Sequence, residues 1–267
     1  MNLREEIGKL KAEGYGQQDA QARICQDIIL EAISESRLSE NVTIKGGVVM
    51  RNLSKDVRRA TQDLDFDFIR KSISDESIED FISQINRLDG ISIAITGKIT
   101  ELRQQDYKGK RVHVSIKDET GFVLTSKIDI GVHKDFDIAQ DEYCFDICFK
   151  NEGASLLMNS KEQVLTEKLK SILKHDVLST RYKDVFDICY LSDFANAERL
   201  KQCISRFIFE DKKLKVGTKE ELIERIGRIF TDKTYLQKIA TSKKNWLDIP
   251  LEKVVQKDLE FFRSIEF

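Results

Sequence analysis

The segment spanning residues 45–67 constrains the fold of this chain more than any other part of its sequence. It opens with Lys-Gly-Gly-Val-Val-Met-Arg and closes with Asp-Leu-Asp-Phe-Asp. Aspartates alternate with apolar residues over residues 63–69, and this period of two predicts a β-strand with one apolar and one acidic face. A second predicted strand, at residues 41–44, leads into the glycine pair and then into a short helix at residues 48–53. The chain is therefore expected to follow a strand–turn–helix–strand path here.

The glycine pair, Gly46 and Gly47, has the features of a phosphate-binding turn. Backbone N–H groups at the start of a helix attract anions, and two residues without side chains let a phosphate group approach the backbone closely. Lys45 and Arg51 would add positive charge. The spacing is not that of a P-loop, which needs Gly-x-x-x-x-Gly-Lys, and it is not a Rossmann fingerprint. An ordinary tight turn is the alternative interpretation.

The aspartates indicate a metal site. A row of carboxylates on one face of a strand is costly unless a cation or solvent compensates, and Mg²⁺ prefers oxygen ligands together with substrate phosphates. Asp129 lies between Ile128 and Ile130 in another predicted strand, so its carboxylate is expected to join Asp63 and Asp65 from a neighbouring strand. We therefore predict a Mg²⁺ or Mn²⁺ site formed by these three aspartates. Asp67 is expected behind the ligands or at the surface, and a solvated polar strand face is the alternative.

A change of hydrophobic period divides the chain near residue 155. Before it, strands alternate with helices, including a hairpin predicted around a turn at residues 118–121. After it, the pattern has the 3.6-residue period of helices, beginning with a capping box of Ser160 and Gln163. The sequence thus predicts an α+β fold. A domain at residues 1–155, with a mixed sheet flanked by helices, is followed by an all-helical domain at residues 156–267.

Composition excludes several classes of protein. No apolar run approaches the roughly 20 residues that span a bilayer, and the first residues lack the apolar core of a signal peptide, so we expect a cytoplasmic protein without a membrane partner. Five cysteines without a Cys-x-x-Cys pair predict reduced thiols. Residues 196–267 contain 16 Lys and Arg against 12 Asp and Glu. This excess suits a nucleic-acid partner, although on charge alone an ordinary solvated helix surface is the preferred interpretation.

Four motifs together resemble a known family. In chain order they are Gly46-Gly47, Arg59-Ala-Thr-Gln-Asp63-Leu-Asp65, Thr166-Glu-Lys168-Leu and Arg181-Tyr-Lys-Asp184-Val-Phe-Asp187. The set is similar to that of the AbiEii/MenT-type nucleotidyltransferase toxins of type IV toxin–antitoxin and phage-defence systems, in the DNA polymerase β superfamily. The resemblance implies a polymerase-β-like nucleotidyltransferase domain, with the helical domain completing the cleft for nucleotide and acceptor.

The resemblance also implies roles for individual residues. Asp63 and Asp65 would bind the catalytic metal ions, and Asp129 would help them or deprotonate the acceptor hydroxyl. Lys168 would contact the phosphates of the nucleotide, as a catalytic and nucleotide-binding residue. Asp184 and Asp187 would orient Lys168 or hold the base or ribose, with a purely structural ion pair as the alternative. The remaining expected nucleotide-binding residues are Lys45, Gly46, Gly47 and Arg59.

The function that follows is metal-dependent transfer of a nucleoside monophosphate from a nucleoside triphosphate to an acceptor. The family resemblance implies an RNA acceptor, the 3′ end of tRNA, and a role as a toxin whose cognate antitoxin acts with or without direct contact. Two alternatives remain open: an enzyme that modifies a protein or small molecule, and a non-catalytic nucleotide-binding module on the same fold.

Overall fold

The computed structural model describes residues 1–102 and 109–267. These residues form two compact units, Met1–Asn159 and Ser160–Phe267. Within the described residues, no helix combines the length and apolar character needed to cross a membrane. All five cysteines are free thiols, as their number and spacing predict.

A mixed sheet forms the centre of the first unit. The described part of this unit contains eight strands: β1 (Val42–Lys45), β2 (Leu64–Ile69), β3 (Ile91–Ile95), β4 (Thr100–Leu102), β5 (Gly109–Asp118), β6 (Val123–His133), β7 (Asp141–Phe145) and β8 (Ala154–Met158). Their order is β3-β5-β6-β2-β1-β8-β7, with β4 also paired to β5. The pairs β2–β6 and β1–β8 are parallel, and the other pairs are antiparallel. The sheet confirms the mixed α/β character predicted for this part of the chain.

Four helices accompany the sheet in the described part of the first unit: α1 (Leu3–Ala12), α2 (Gln17–Ser34), α3 (Gly46–Ser54) and α4 (Asp75–Ile85). The apolar stripe predicted for α2 is fully buried at Ile24 and Ile28, and α2 packs against β6 and β8. Helix α3 begins at Gly46 itself, two residues earlier than its sequence pattern predicts.

The alternation predicted for β2 is confirmed. Leu64, Phe66 and Phe68 have no exposed surface. The two phenylalanine rings pack against Phe81 of α4, with ring centroids 5.4 and 5.0 Å apart. Because successive side chains of a strand point to opposite faces, this apolar packing directs Asp65 to the other face of the sheet.

The strand β8 is not anticipated in the sequence, where residues 150–155 read as a junction between domains. It pairs with both β1 and β7. The backbone N–H of Asn159 then donates to the carbonyl of Ile44 at 2.9 Å. The strand β8 is only five residues long and has few turn residues around it, so its sequence does not mark it as a strand. Pairing with β1 and β7, rather than local preference, stabilises it.

The second unit contains the helices α5 (Lys161–His175), α6 (Lys183–Leu191), α7 (Ala197–Ile204), α8 (Lys219–Thr231), α9 (Lys233–Thr241) and α10 (Leu251–Ser264), and a π-helical turn at Ser205–Phe209 follows α7. The Ser160 hydroxyl caps α5 by accepting from the Gln163 N–H at 3.1 Å. The Gln163 side chain also donates to Glu167 at 3.0 Å. The first of the two hydrogen bonds of the predicted capping box is therefore confirmed.

Asp258 of α10 is a buried carboxyl group whose oxygens have no hydrogen-bond partner among the described residues. Burial raises its pKa well above the ordinary value, and the charge of Lys257 offsets this only in part. The folded state therefore binds the proton more tightly than the unfolded state. Its contribution to stability is largest below about pH 3.9, the unfolded pKa, and is lost as the pH rises toward the folded pKa.

We expect Asp258→Asn to stabilise the protein at neutral pH. The neutral amide removes the cost of keeping a carboxyl group protonated at a pH far above its unfolded pKa. Thermal unfolding followed by the fluorescence of Trp246 should show a higher melting temperature at pH 7.5 and little difference at pH 4. Glu260→Gln, on the exposed side of the same helix, is the control. Equal destabilisation by Asp258→Asn at both pH values would contradict the expectation.

Candidate active site

The glycine pair at the β1–α3 turn is required by close packing. Gly46 has φ +68°, a left-handed conformation that L residues rarely adopt. A Cβ atom on Gly46 would lie 2.7 Å from Oδ2 of Asp65, and a Cβ atom on Gly47 would overlap Oγ1 of Thr61. The absent side chains therefore let the segment that carries Thr61 and Asp65 lie against the first turn of α3. This packing is more specific than an ordinary tight turn requires.

Asp65 and Asp129 lie side by side in the sheet. The parallel pairing of β2 with β6 places them directly opposite each other in register. Asp63 immediately precedes β2, so it is two residues before Asp65 along the same strand direction. The prediction that Asp129 comes from a neighbouring strand is confirmed, whereas its role stays a prediction.

Two cations that the sequence analysis did not single out contact these carboxylates. Arg111 of β5 holds Asp129 in a two-pronged interaction, with Nε–Oδ1 and Nη2–Oδ2 distances of 2.7 Å each. Lys127 Nζ lies 2.7 Å from Oδ1 of Asp63. The hydrogen bond with Asp129 raises the pKa of Arg111, burial lowers it, and the charges of Asp129, Asp63 and Asp65 raise it further. Arg111 thus lies within the electrostatic field of all three aspartates.

The aspartates predicted to bind the metal carry suitable donor atoms, but their side chains do not converge on one point. Carboxylate oxygens are the donors that Mg²⁺ and Mn²⁺ prefer. Among residues 1–102 and 109–267, however, no three His, Cys, Asp or Glu side chains lie close enough together to hold one ion. Lys127 and Arg111 offset the charges of Asp63 and Asp129 instead. A divalent cation would therefore compete with these two side chains for the same oxygens.

Lys45 is buried at the end of β1, where it forms an ion pair. Its Nζ lies 2.6 Å from Oδ1 of Asp67 on β2. Asp67 is only 5% exposed, so the expected surface position for this residue is wrong and a position behind the ligands remains. His133 of β6 lies close to this pair. Its pKa is lowered by burial, while the charges of Asp67 and Asp135 act to raise it and that of Lys45 to lower it.

Arg51 is part of an internal ion pair. It is 4% exposed, and its Nη2 lies 2.6 Å from Oδ1 of Asp27 on α2. The other oxygen of Asp27 accepts from the backbone N–H of Cys148 at 3.0 Å. Arg51 therefore links α3 to α2. This structural role differs from the expected one, in which Arg51 supplies positive charge to a phosphate.

The Arg-x-Thr-x-Asp-x-Asp segment is anchored to α2 by a buried glutamine. Nε2 of Gln26 donates to the backbone carbonyl of Thr61 at 2.9 Å and to that of Asp63 at 3.3 Å. Arg59, at the end of a short 3₁₀ turn, is 3% exposed. Gln26 has no signal in the sequence, because a glutamine on the inner face of a helix is recognisable only from what it contacts.

A second charged cluster lies within the helical unit. Lys168 of α5 approaches Asp184 Oδ1 at 2.9 Å and Asp187 Oδ2 at 2.6 Å, both from α6. All three residues are buried, and Asp187 is fully inaccessible. Two carboxylates on one ammonium group orient it strongly. Among the roles expected for Asp184 and Asp187, the orientation of Lys168 agrees with this geometry. A purely structural ion pair would have the same geometry.

Trp246 completes this cluster. Its indole Nε1 donates to Oδ1 of Asp187 at 3.0 Å. It is the only tryptophan of the chain, and it comes from the loop between α9 and α10. Sequence reasoning missed it, because it lies 59 residues from its partner and in no motif.

One known protein family matches a part of the chain that includes both the aspartates of the sheet and the lysine–aspartate cluster of the helical unit. The model of the family described as nucleotidyl transferase AbiEii toxin, type IV toxin–antitoxin system, matches residues 28–260. No curated protein sequence shows a significant match to the chain. The matched range includes the glycine turn, the aspartates of β2 and β6, and the lysine–aspartate cluster of α5 and α6. The chain therefore belongs to the AbiEii family of nucleotidyl transferase toxins of type IV toxin–antitoxin systems.

Proposed function

We propose that this protein transfers a nucleoside monophosphate from a nucleoside triphosphate to the 3′ end of an RNA, with tRNA as the favoured acceptor, in a reaction that depends on Mg²⁺ or Mn²⁺. One observation carries the proposal above all others. Asp65 and Asp129 lie in register on adjacent parallel strands, and Asp65 lies against the glycine turn that starts α3. Carboxylates thus lie beside the start of a helix, the kind of position at which phosphate groups bind.

The glycine turn would hold the triphosphate. The first N–H groups of α3 have no partner within the helix and point toward its N-terminus, where the helix dipole also favours anions. Phosphate oxygens would approach these backbone N–H groups beside Asp65 and Thr61, whose side chains fill the space at the missing Cβ positions. Lys45 and Arg59 are proposed to add positive charge, and the ion pair with Asp67 would hold Lys45 in place.

Asp63, Asp65 and Asp129 would hold the divalent cation, which supplies positive charge to neutralise the triphosphate. Asp129 would also accept the proton of the acceptor hydroxyl. The acceptor oxygen forms a bond to the α-phosphorus, the bond from that phosphorus to the bridging oxygen breaks, and pyrophosphate leaves. Asp63 and Asp129 must release Lys127 and Arg111 for this task, and the two freed cations would then be available to the phosphates.

The helical unit, residues 160–267, is proposed to act in binding both nucleotide and acceptor. Lys168 would contact the phosphates, held by Asp184 and Asp187. The surplus of Lys and Arg over residues 196–267 supports an RNA acceptor, because phosphate backbones bind basic surfaces. The type IV family implies an antitoxin, and growth inhibition during phage infection is the proposed biological outcome. The proposal includes an antitoxin that acts with or without direct contact.

Incubation with each of four α-³²P-labelled nucleoside triphosphates and Mg²⁺ tests the proposal. Three acceptor pools are supplied separately: bulk tRNA, tRNA whose 3′ end has been oxidised with periodate, and a cell protein extract. We expect label in intact tRNA alone, because the oxidised end lacks the attacking hydroxyl. Label in the protein extract would instead show that the acceptor is a protein. Nucleotide binding by calorimetry without transfer to any pool would identify a non-catalytic module.

A further inference from the structure

Asp187 is a fully buried carboxylate that is held from two sides. Lys168 Nζ binds Oδ2 at 2.6 Å, and the indole Nε1–H of Trp246 binds Oδ1 at 3.0 Å. Each oxygen therefore has a different donor. A buried carboxylate is costly unless its oxygens accept hydrogen bonds, so the indole N–H stabilises the orientation in which Oδ1 faces Trp246 and Oδ2 faces Lys168.

The loop that carries Trp246 is built to hold the indole still. Nδ2 of Asn245 donates to the carbonyl of Ile249 at 2.8 Å, and Oδ1 of Asn245 accepts from the N–H of Leu247 at 3.2 Å. Both hydrogen bonds of Asn245 thus link it to residues that follow the tryptophan in the loop. The indole itself is 4% exposed.

The indole also packs on the helix that carries both aspartates. Its ring lies against that of Tyr190, with centroids 5.3 Å apart. Tyr190 is three residues after Asp187, so the two contacts fall on the same side of α6. Trp246 therefore fixes α6 by ring packing and Asp187 by a hydrogen bond, and substitution can separate the two contributions.

We propose that Trp246 is a positioning residue for Lys168. The indole N–H keeps the Asp187 carboxylate from rotating, and this carboxylate sets the direction of the Lys168 ammonium group. Trp246 does not touch the nucleotide. The inference rests on the proposed function in one respect, namely that Lys168 contacts the phosphates. Ring packing alone would be satisfied by phenylalanine, whereas positioning requires the N–H donor.

Trp246→Phe tests the donor while it keeps an aromatic ring. We expect KM for the nucleoside triphosphate to rise about tenfold with little change in kcat, because a hydrogen bond to a buried charged group is lost. In an Asp187→Asn background, Trp246→Phe should add no further increase, because the indole acts through that carboxylate. Phe194→Leu is the control. Its ring packs on Tyr190 at 5.1 Å and is 53% exposed, so KM should be unchanged.

A fluorescence measurement separates this inference from the proposed function, because it requires no turnover. Trp246 is the only tryptophan, so wild-type emission reports on this indole. Asp187→Asn and Lys168→Gln should each shift the emission maximum, and Phe194→Leu should not. If the wild-type protein transfers no nucleotide, the proposed function fails, and the dissociation constant for the triphosphate replaces KM in the comparison.

Three results would overturn the positioning role: an unchanged KM in Trp246→Phe, an equal and additive increase in the Asp187→Asn background, or unchanged emission in Asp187→Asn and Lys168→Gln. Circular dichroism of each variant establishes that it is folded. If Trp246→Phe does not fold, the emission shifts of the two variants that retain the indole decide the question.

Discussion

Asp65→Asn is expected to reduce nucleotidyl transfer by about a thousandfold or more while the protein stays folded, a loss of roughly 4 kcal/mol of transition-state stabilisation. Asp65 is the aspartate that lies beside both Asp129 and the glycine turn. Asparagine has nearly the same size, so it should fit against Gly46. The variant is therefore expected to stay folded.

Initial rates of label transfer to tRNA, with thermal unfolding of the same samples, measure the two effects. Asp89→Asn is the control, because Asp89 is an exposed aspartate in the same unit. It should retain wild-type rates. A rate for Asp65→Asn above one tenth of the wild-type value would remove Asp65 from the reaction. A large fall in melting temperature would instead show that the carboxylate is needed for folding.

Lys168→Met is expected to destabilise the protein by about 3–5 kcal/mol, because it leaves two carboxylates in the interior without their cation. The side chains of Asp184 and Asp187 are 11% and 0% exposed, so solvent cannot replace the ammonium group. Methionine matches the length of the lysine stem and limits the packing change. Urea unfolding measures the free energy, and Trp246 is a convenient probe because it belongs to the same unit.

A second pair in the helical unit provides the comparison. Lys201 lies 2.8 Å from Glu198, but the side chains are 27% and 76% exposed. Lys201→Met should cost no more than about 1 kcal/mol, since exposed ion pairs contribute little. Asp187→Asn added to Lys168→Met should recover part of the loss, because it removes the charge of one of the two carboxylates that have lost Lys168. Equal costs for Lys168→Met and Lys201→Met would show that the internal pair contributes no more than a surface pair.

The residues of the candidate site differ in how far the sequence identifies them. Asp63, Asp65 and the glycine pair occur within one short segment, and their spacing is sufficient to suggest phosphate and metal chemistry. Asp129 is inferred from its position between two isoleucines in a strand. The structure places it beside Asp65, because β6 pairs in parallel with β2. Strand alternation indicates which face a side chain occupies, but not which strand is its neighbour.

Pairing between charges was harder to foresee. Arg111 contacts Asp129 across 18 residues, and Lys45 contacts Asp67 across 22. Arg51 was expected near phosphate and instead forms an ion pair with Asp27. A sequence lists charges without showing which opposite charge each one meets, and that choice is made by the pairing of strands and the packing of helices.

The sequence by itself determined the acidic face of β2, the glycine turn, the change from a period of two to a period of 3.6, and the family. These features are local, because they follow from the side-chain directions of strands and helices and from short motifs. Only the tertiary structure decided that β8 joins the sheet, that Arg111 and Lys127 hold two of the predicted metal ligands, and that Trp246 reaches Asp187. These contacts join residues distant in the chain, and their formation depends on the free energy of the whole packed arrangement rather than on local preference.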